Sequence, residues 1–364
     1  MRQIVTSLYV ILTMVSCSDG GIFDSSSNSA NGGNGNSPSN GSGDSEWLIP
    51  KSEIFDGGPG KDGIPALENP EMVPVGDSKL NYLDDDDLVI GVKDGEDVRA
   101  YAHSILDWHE IINDKVGDKY IAVTYCPLTG TAIGWDRKID GEVTTFGVSG
   151  LLYNSNLIPY DRATDSNWSQ ILNKSVNGLL SGTDIKTYDV VETTYETWKK
   201  WYPNSTVTST NTGHTRSYGL YPYGNYKTSQ NLLFPISNTD NRLHPKERVL
   251  GVKLRNSTIA YPLNLFTGGK VIDDIVDFAR IVAIGSKEEN WVIAFDDPRI
   301  NDEPLELALN DGVITDQLGN TWDKFGEATE GPNKGEKLKK PLSFIGFWFS
   351  WSTFYENIVI YEGE

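Results

Sequence analysis

Basic residues are scarce in this sequence, and the kinds of partner it can have are limited accordingly. The 364 residues include 31 Lys and Arg against 51 Asp and Glu, a formal net charge of −20. A chain this acidic, without a basic stripe, does not bind nucleic acid through its general field. Its glycines do not form a P-loop or a dinucleotide-binding fingerprint, so nucleotide binding is not expected either, and no cofactor is predicted.

Long apolar runs are missing after the N-terminus, which itself has the pattern of a secretory signal. Residues 1–17 have one basic residue, Arg2, a short apolar stretch and a final Cys17. This resembles a bacterial lipobox, so lipidation of Cys17 is predicted, with an ordinary cleaved signal as the alternative. Residues 18–46 are almost entirely Gly, Ser, Asn and Asp, a composition typical of a disordered tether. We expect a protein anchored by lipid to the outer membrane, on its periplasmic face or at the cell surface.

The sequence predicts a single domain over residues 47–364. Within it, several segments of the first half resemble segments of the second half. VIGVK at 89–93 matches VLGVK at 249–253, and three further pairs of segments share the same offset of 160 residues. We interpret this as a duplication, with repeat one at about 85–208, a linker motif at 209–247 and repeat two at about 248–364. The shared positions are most simply structural, whereas YCPLTG (125–130) aligns with the dissimilar GSKEEN (285–290).

Each repeat contains short segments rich in β-branched and aromatic residues, separated by Gly, Asp and Asn. These segments predict a mainly β fold, all-β or β-rich α+β, in which two pseudo-symmetric repeats of short antiparallel strands pack into one unit. A few short helices are expected, one within 192–201 and another within 345–354.

Three long motifs identify a family. YCPLTGTAIGWDR, TFGVSGLLYNSNLIPYDRATDSNWSQ and RSYGLYPYGNYKTSQNLLFPISNTDNRLHPKERVLGVK resemble the bacterial domain-of-unknown-function 3179 family. The resemblance implies exported or membrane-linked proteins without a settled activity. Many members have C-P-L-C where this chain has Cys126-Pro127-Leu128-Thr129. Thr129 removes the second sulfur, which argues against dithiol cycling and against a two-thiolate metal site.

Cys126 is the first candidate for chemistry. As a nucleophile it would need a neighbouring His or Arg to lower its pKa, and His244 or His214 is the candidate partner. The alternative is a small buried side chain at the end of a strand. No metal is predicted; a site, if present, would combine Cys126 with His214 or His244. The acidic run 84–87 is interpreted as a solvated loop, with a cation as the alternative.

The linker motif is the second candidate, because it mixes charges of both signs with tyrosines. Guanidinium groups match planar oxyanions and tyrosines supply stacking faces, so a small anionic or carbohydrate ligand, or an envelope protein partner, is expected. The alternative is a network of ion pairs that clamps the linker across both halves. The candidate binding residues are Arg216, Tyr218, Tyr223, Tyr226, Asp240, Arg242 and Asn154.

These observations favour a non-enzymatic binding or assembly module with its site between the two repeats. The walls of that site would be the Cys126 loop, residues 146–156 and the linker. The alternative is a thiol- or metal-dependent enzyme or redox protein centred on Cys126.

Overall fold

The computed structural model describes residues 46–363. The predicted signal peptide, the lipidation site Cys17 and nearly all of the predicted tether lie outside the described residues. Within the described part of the chain, no helix is long and apolar enough to cross a membrane.

Short strands dominate the N-terminal segment and the first half. The strands of the N-terminal segment are β1 (Ile54–Asp56), β2 (Leu67–Glu68) and β3 (Met72–Pro74). Those of the first half are β4 (Leu88–Asp94), β5 (Asp97–Ala102), β6 (Ile111–Val116), β7 (Lys119–Cys126), β8 (Thr131–Asp136), β9 (Lys138–Ile139), β10 (Glu142–Val143), β11 (Phe146–Tyr153), β12 (Asn156–Asp161), β13 (Asn167–Ser169), β14 (Lys174–Asn177), β15 (Thr187–Tyr188), β16 (Val191–Thr194) and β17 (Thr206–Thr208). Two helices of seven residues accompany them, α1 (His103–His109) and α2 (Tyr195–Trp201).

The second half begins after the linker and again consists of short strands. They are β18 (Arg248–Lys253), β19 (Thr258–Pro262), β20 (Lys270–Val276), β21 (Ala279–Ser286), β22 (Trp291–Asp296), β23 (Arg299–Ile300), β24 (Glu303–Pro304), β25 (Leu307–Asn310), β26 (Val313–Asp316), β27 (Thr321–Trp322), β28 (Ala328–Glu330), β29 (Leu342–Phe347) and β30 (Val359–Ile360). Helix α3 (Trp348–Phe354) follows β29. Short 3-10 helices lie at Lys51–Glu53, Ser78–Leu80, Tyr226–Thr228 and Leu263–Phe266.

The strands form several small sheets in which most neighbours are antiparallel. The first half has three five-stranded sheets, in the orders β1-β11-β12-β13-β14, β15-β8-β7-β6-β2 and β16-β4-β5-β17-β3. The second half has the sheets β29-β18-β19-β30, β20-β21-β22 and β25-β26-β27-β28. The predicted mainly β class with a few short helices is confirmed.

The two halves pass through the same succession of elements. In each half a hairpin pairs with a later antiparallel strand and with a parallel one: β4–β5 with β16 and β17, and β18–β19 with β29 and β30. The helix after that antiparallel strand places a buried Trp against a strand glycine. Trp198 lies on Gly91 and Trp351 lies on Gly251, so close that an added Cβ would come within 2.0 Å of either ring. The duplication stays a prediction, which this succession favours.

A hydrophobic core is shared between the halves. First-half side chains such as Trp135 and Phe146 belong to the same buried cluster as Trp348 and Trp351 from the second half. Phe347 also contacts the Cys126 loop, since its ring lies where a side chain at Gly130 would point. The Cys126 loop is therefore held between the halves.

Candidate functional site

The linker covers the loop that follows Cys126. Tyr221 Oη donates a hydrogen bond to the carbonyl of Pro127 at 3.3 Å, and Ser155 Oγ donates to that of Phe234 at 2.8 Å. The backbone N–H of Ser237 donates to Asn154 Oδ1 at 2.7 Å, so Asn154 holds the linker in place. The three walls expected from the sequence thus pack directly against one another.

Cys126 lies at the end of β7 and is 1% exposed. Its thiol donates to the carbonyl of Ser155, with 3.6 Å between the two atoms. Burial raises the pKa of Cys126 to about 11, and the neighbouring carboxyl of Glu110 adds to that effect. The thiol is therefore protonated at neutral pH, the opposite of what nucleophilic chemistry requires.

The second half of the linker lines an open groove of about 710 Å³ that includes Asp240, Arg242 and His244. Arg242 pairs with Asp240 at 2.6 Å, and its guanidinium lies 5.2 Å from the centre of the Trp348 ring. His244 Nδ1 accepts a hydrogen bond from the backbone N–H of Lys246. Arg242 thus has its ion-pair partner within the linker, whereas the clamp interpretation requires ion pairs across both halves.

The remaining linker residues have different surroundings. Arg216 and Tyr223 line a cavity of 510 Å³ beside α1. Tyr218 is buried and its hydroxyl lies 2.8 Å from His109 Nε2, while the His214 ring lies 5.3 Å from that of His109. Tyr226 is buried beneath the ammonium of Lys246, which lies 3.6 Å from the centre of its ring.

A further cavity, which we call the acidic cavity, opens beneath the Asp-rich loop and has a volume of 350 Å³. Its walls come from three separate stretches of the chain: residues 82–88, the start of α1 and residues 218–227. Four carboxylates line it, against the single ammonium of Lys227. They are Asp84, Asp86, Asp87 and Asp107.

Helix α1 provides the floor of the acidic cavity. His103 and Asp107 are one helical turn apart on the same face and are only 5% and 6% exposed. Four of the floor's polar atoms have no hydrogen-bond partner among the described residues: His103 Nδ1 and Nε2, Ser104 Oγ and Asp107 Oδ1. Buried polar atoms without partners are rare because leaving them unpaired costs about 1–3 kcal/mol each. A ligand in the cavity would satisfy them.

The charges of the floor are set by burial. Burial lowers the pKa of His103 well below its ordinary value, so the imidazole is neutral. Burial also raises the pKa of Asp107, an effect opposed by the nearby ammonium of Lys227. Lys227 Nζ lies 3.6 Å from Asp107 Oδ2 and 4.1 Å from the centre of the Tyr221 ring. An ammonium group therefore already fits between the carboxylate and the aromatic face.

The floor is connected to the second half of the molecule. His103 Nε2 lies 3.2 Å from Glu192 Oε2 on β16, and the other oxygen of Glu192 pairs with Arg248 on β18. Burial lowers the pKa of Arg248 to about 10. The acidic cavity is thus built against the ion pair that joins the two halves.

Sequence reasoning did not identify this floor. The Asp-rich run was interpreted as a solvated loop, and His103 and Asp107 were not singled out. The spacing of four residues between His103 and Asp107 could have indicated that they share one face of a helix. It does so only if residues 103–109 are known to be helical. Within the described chain, no group of three or more His, Cys, Asp and Glu side chains is placed to hold a metal ion.

Comparison with known proteins gives one family. Nothing among the curated proteins and nothing among the solved structures matches the chain. Residues 61–358 match the family described as "Protein of unknown function (DUF3179)", which confirms the resemblance seen in the motifs. Since the match covers most of the chain, this protein is a member of that family.

Proposed function

We propose that this protein is a non-enzymatic binding module that takes a small primary amine, in its protonated form, into the acidic cavity. The observation that carries the proposal is the buried, unpartnered Oδ1 atom of Asp107, a residue that is 6% exposed and lines a cavity bordered by three more carboxylates. An ammonium group would give this oxygen a charge-assisted hydrogen bond. A cavity of this size is also in the range that accommodates small ligands.

The rest of the cavity suits an organic cation. Tyr82, Tyr218 and Tyr221 line it, and tyrosine faces attract ammonium groups. The position of Lys227 between Tyr221 and Asp107 is an internal example of that contact. The neutral His103 and the Ser104 hydroxyl add hydrogen-bonding capacity without adding positive charge.

Other ligands match this cavity less well. Four carboxylates against one ammonium oppose the anionic ligand suggested by the linker arginines. A tightly held metal ion would require a convergent set of ligands, and the described residues do not include one. The structure does not support the alternative of a thiol enzyme, because the thiol of Cys126 is buried and protonated.

The test is calorimetric titration of the full chain, purified in detergent, with pentylamine, pentanol and pentanoate at low ionic strength. We expect saturable binding of pentylamine only, weakening as salt is added. Binding should strengthen as the pH rises through the pKa of Asp107, because the charged carboxylate is the form that attracts the amine. Asp107→Asn should weaken pentylamine binding at least about tenfold, since it removes a charge-assisted hydrogen bond.

Asp118→Asn is the matched control, because Asp118 is fully exposed and does not line the cavity. Asp87→Asn provides a second variant should Asp107→Asn not fold. Equal affinity for pentylamine and pentanol, or unchanged binding in both cavity variants, would refute the proposal.

We also propose that the module is held at the outer membrane by a lipid on Cys17. The support is the lipobox-like pattern of residues 1–17 and the polar tether composition after it. Cys17→Ser should move the protein from the membrane fraction to the soluble fraction, as measured by immunoblotting of fractionated cells. Unchanged membrane association would overturn the lipid anchor.

A further inference from the structure

A second cavity begins on the other side of Asp107. This cavity, of 510 Å³, has Asp107 and Arg216 in its walls, together with the apolar or aromatic surfaces of Ile64, Trp108 and Tyr223. Asp107 lines both this cavity and the acidic cavity. A ligand in the second cavity therefore has both Asp107 and Arg216 in its walls.

Arg216 differs from most arginines of this acidic chain. Six of the described arginines have a carboxylate within ion-pair distance: Arg99, Arg162, Arg242, Arg248, Arg280 and Arg299. Within residues 46–363, no carboxylate lies within that distance of Arg216, whose Nη1 donates to the carbonyl of Thr215 at 2.9 Å. Most of its guanidinium donors remain available in a protein with 51 acidic side chains.

The field at the Arg216 end has the opposite sign from that at the Asp107 end. The positive charge of Arg216 contributes to lowering the pKa of His109, and it opposes the rise that burial causes in the pKa of Tyr218. Both side chains lie beside the cavity. A guanidinium fork matches a carboxylate in a bidentate arrangement, and the apolar wall between the two ends suits a short hydrocarbon chain.

Resting on the proposed amine site, we infer that the ligand is a zwitterion of the amino-acid class. Its ammonium group binds Asp107 and its carboxylate binds Arg216. The two opposite charges, both in the walls of one partly apolar cavity, select for molecules that carry both groups. Plain amines bind at the Asp107 end only, and plain carboxylates are repelled by the acidic cavity.

The experiment compares three zwitterions with the amines they become on loss of the carboxylate. Glycine, 4-aminobutanoate and 6-aminohexanoate are titrated into the full chain beside methylamine, propylamine and pentylamine. We expect at least one zwitterion to bind about tenfold or more tightly than its amine, because a charge-assisted bidentate contact is added. The pair with the largest gain reports the spacing between the two ends.

Arg216→Gln should remove that advantage without weakening the binding of the amines, since it removes a positive charge near the amine. Arg216→Lys should keep part of it, since a point charge remains without the planar fork. Arg242→Gln is the control, because Arg242 is paired with Asp240 and lines a different groove. Both positions are on the surface, so the three variants should fold.

The outcomes separate the two proposals. If amines bind and no zwitterion gains over its amine, or if the gain survives in Arg216→Gln, the zwitterion inference is wrong and the amine site stands. If neither the amines nor the zwitterions bind, the proposed function itself fails.

Discussion

Glu110 is a buried acid whose protonation links stability to pH. It connects α1 to β6 at a φ of 58°, is 7% exposed, and has its pKa raised to about 8 by burial. Its ordinary value is 4.5. Between these two values the folded protein holds a proton that the unfolded chain has released, so the free energy of unfolding falls as the pH rises from 4.5 to 8.

Glu110→Gln should remove this dependence, because the amide cannot ionise. We expect the variant to gain stability over the parent progressively from pH 5 to pH 8, by a few kcal/mol at the upper end. Urea unfolding at pH 5, 6.5 and 8, followed by circular dichroism, measures it. Glu142→Gln, at an exposed strand position, should show no such trend. A stability difference that does not change with pH would contradict the burial argument.

Single residues were only partly predictable from the sequence. The sequence allowed Cys126 to be a buried side chain or a reactive thiol, and its neighbour Glu110 was not considered. Burial of an isolated acid depends on segments far away in the chain, such as the linker, whose Tyr223 lies close enough to interact electrostatically with Glu110. The pair of Arg242 with Asp240 is local, since one residue separates the two, but the sequence indicated only a charge-rich linker that contains both.

At the scale of elements, a glycine in β4 and another in β18 leave room for the buried tryptophans of α2 and α3, so that each helix can pack closely on its strand. Gly91 lies within β4 and Gly251 within β18, at positions 160 residues apart. Gly91→Ala and Gly251→Ala should each destabilise the protein by at least about 1–3 kcal/mol, since neither Trp198 nor Trp351 has room to move. Urea denaturation measures both costs.

Gly219→Ala is the matched control, because an added Cβ there meets nothing within 4 Å. Its stability should stay within about 0.5 kcal/mol of the parent. Comparable losses at Gly91 and Gly251 are expected if the two halves descend from one repeat. A large loss at one position with none at the other would count against equivalent packing.

Elements were predicted well where the local pattern was sufficient. The β-branched segments became β4, β7, β8 and their counterparts, and α2 and α3 fall within the stretches expected to be helical. Helix α1 was not predicted, because it lacks the aromatic residues at helical spacing that mark α2 and α3, and its N-cap, Ala102, makes no side-chain capping hydrogen bond. Thr194, by contrast, caps α2 by accepting from the N–H of Thr197.

At the scale of the whole molecule, the acidic cavity could not be derived from the sequence. Its linker wall, residues 218–227, is more than 100 residues away from the other two walls and meets them only after the linker has folded over α1. The repeat pattern predicted which strands would correspond, but it contains no information about the linker, which has no second copy. The wall of the acidic cavity formed by residues 218–227 belongs to this linker, so comparing the two repeats could not reveal it.

The ion pair of Glu192 with Arg248 joins the two halves directly beside this cavity. The two side chains are 4% and 23% exposed. Removing one partner leaves a charge with poor access to water, so Glu192→Gln and Arg248→Met should each cost about 3–5 kcal/mol. The double variant should recover much of that loss, because no unpaired charge remains.

A double-mutant cycle, with stability measured by urea denaturation, tests this coupling. The exposed pair of Lys200 with Glu196 on α2 serves as a control, and its coupling should be below about 1 kcal/mol. Since Glu192 also contacts His103, the single variants should in addition weaken amine binding in the acidic cavity, whereas the α2 pair should not affect it. Additive losses in stability would show that this ion pair contributes nothing specific to holding the two halves together.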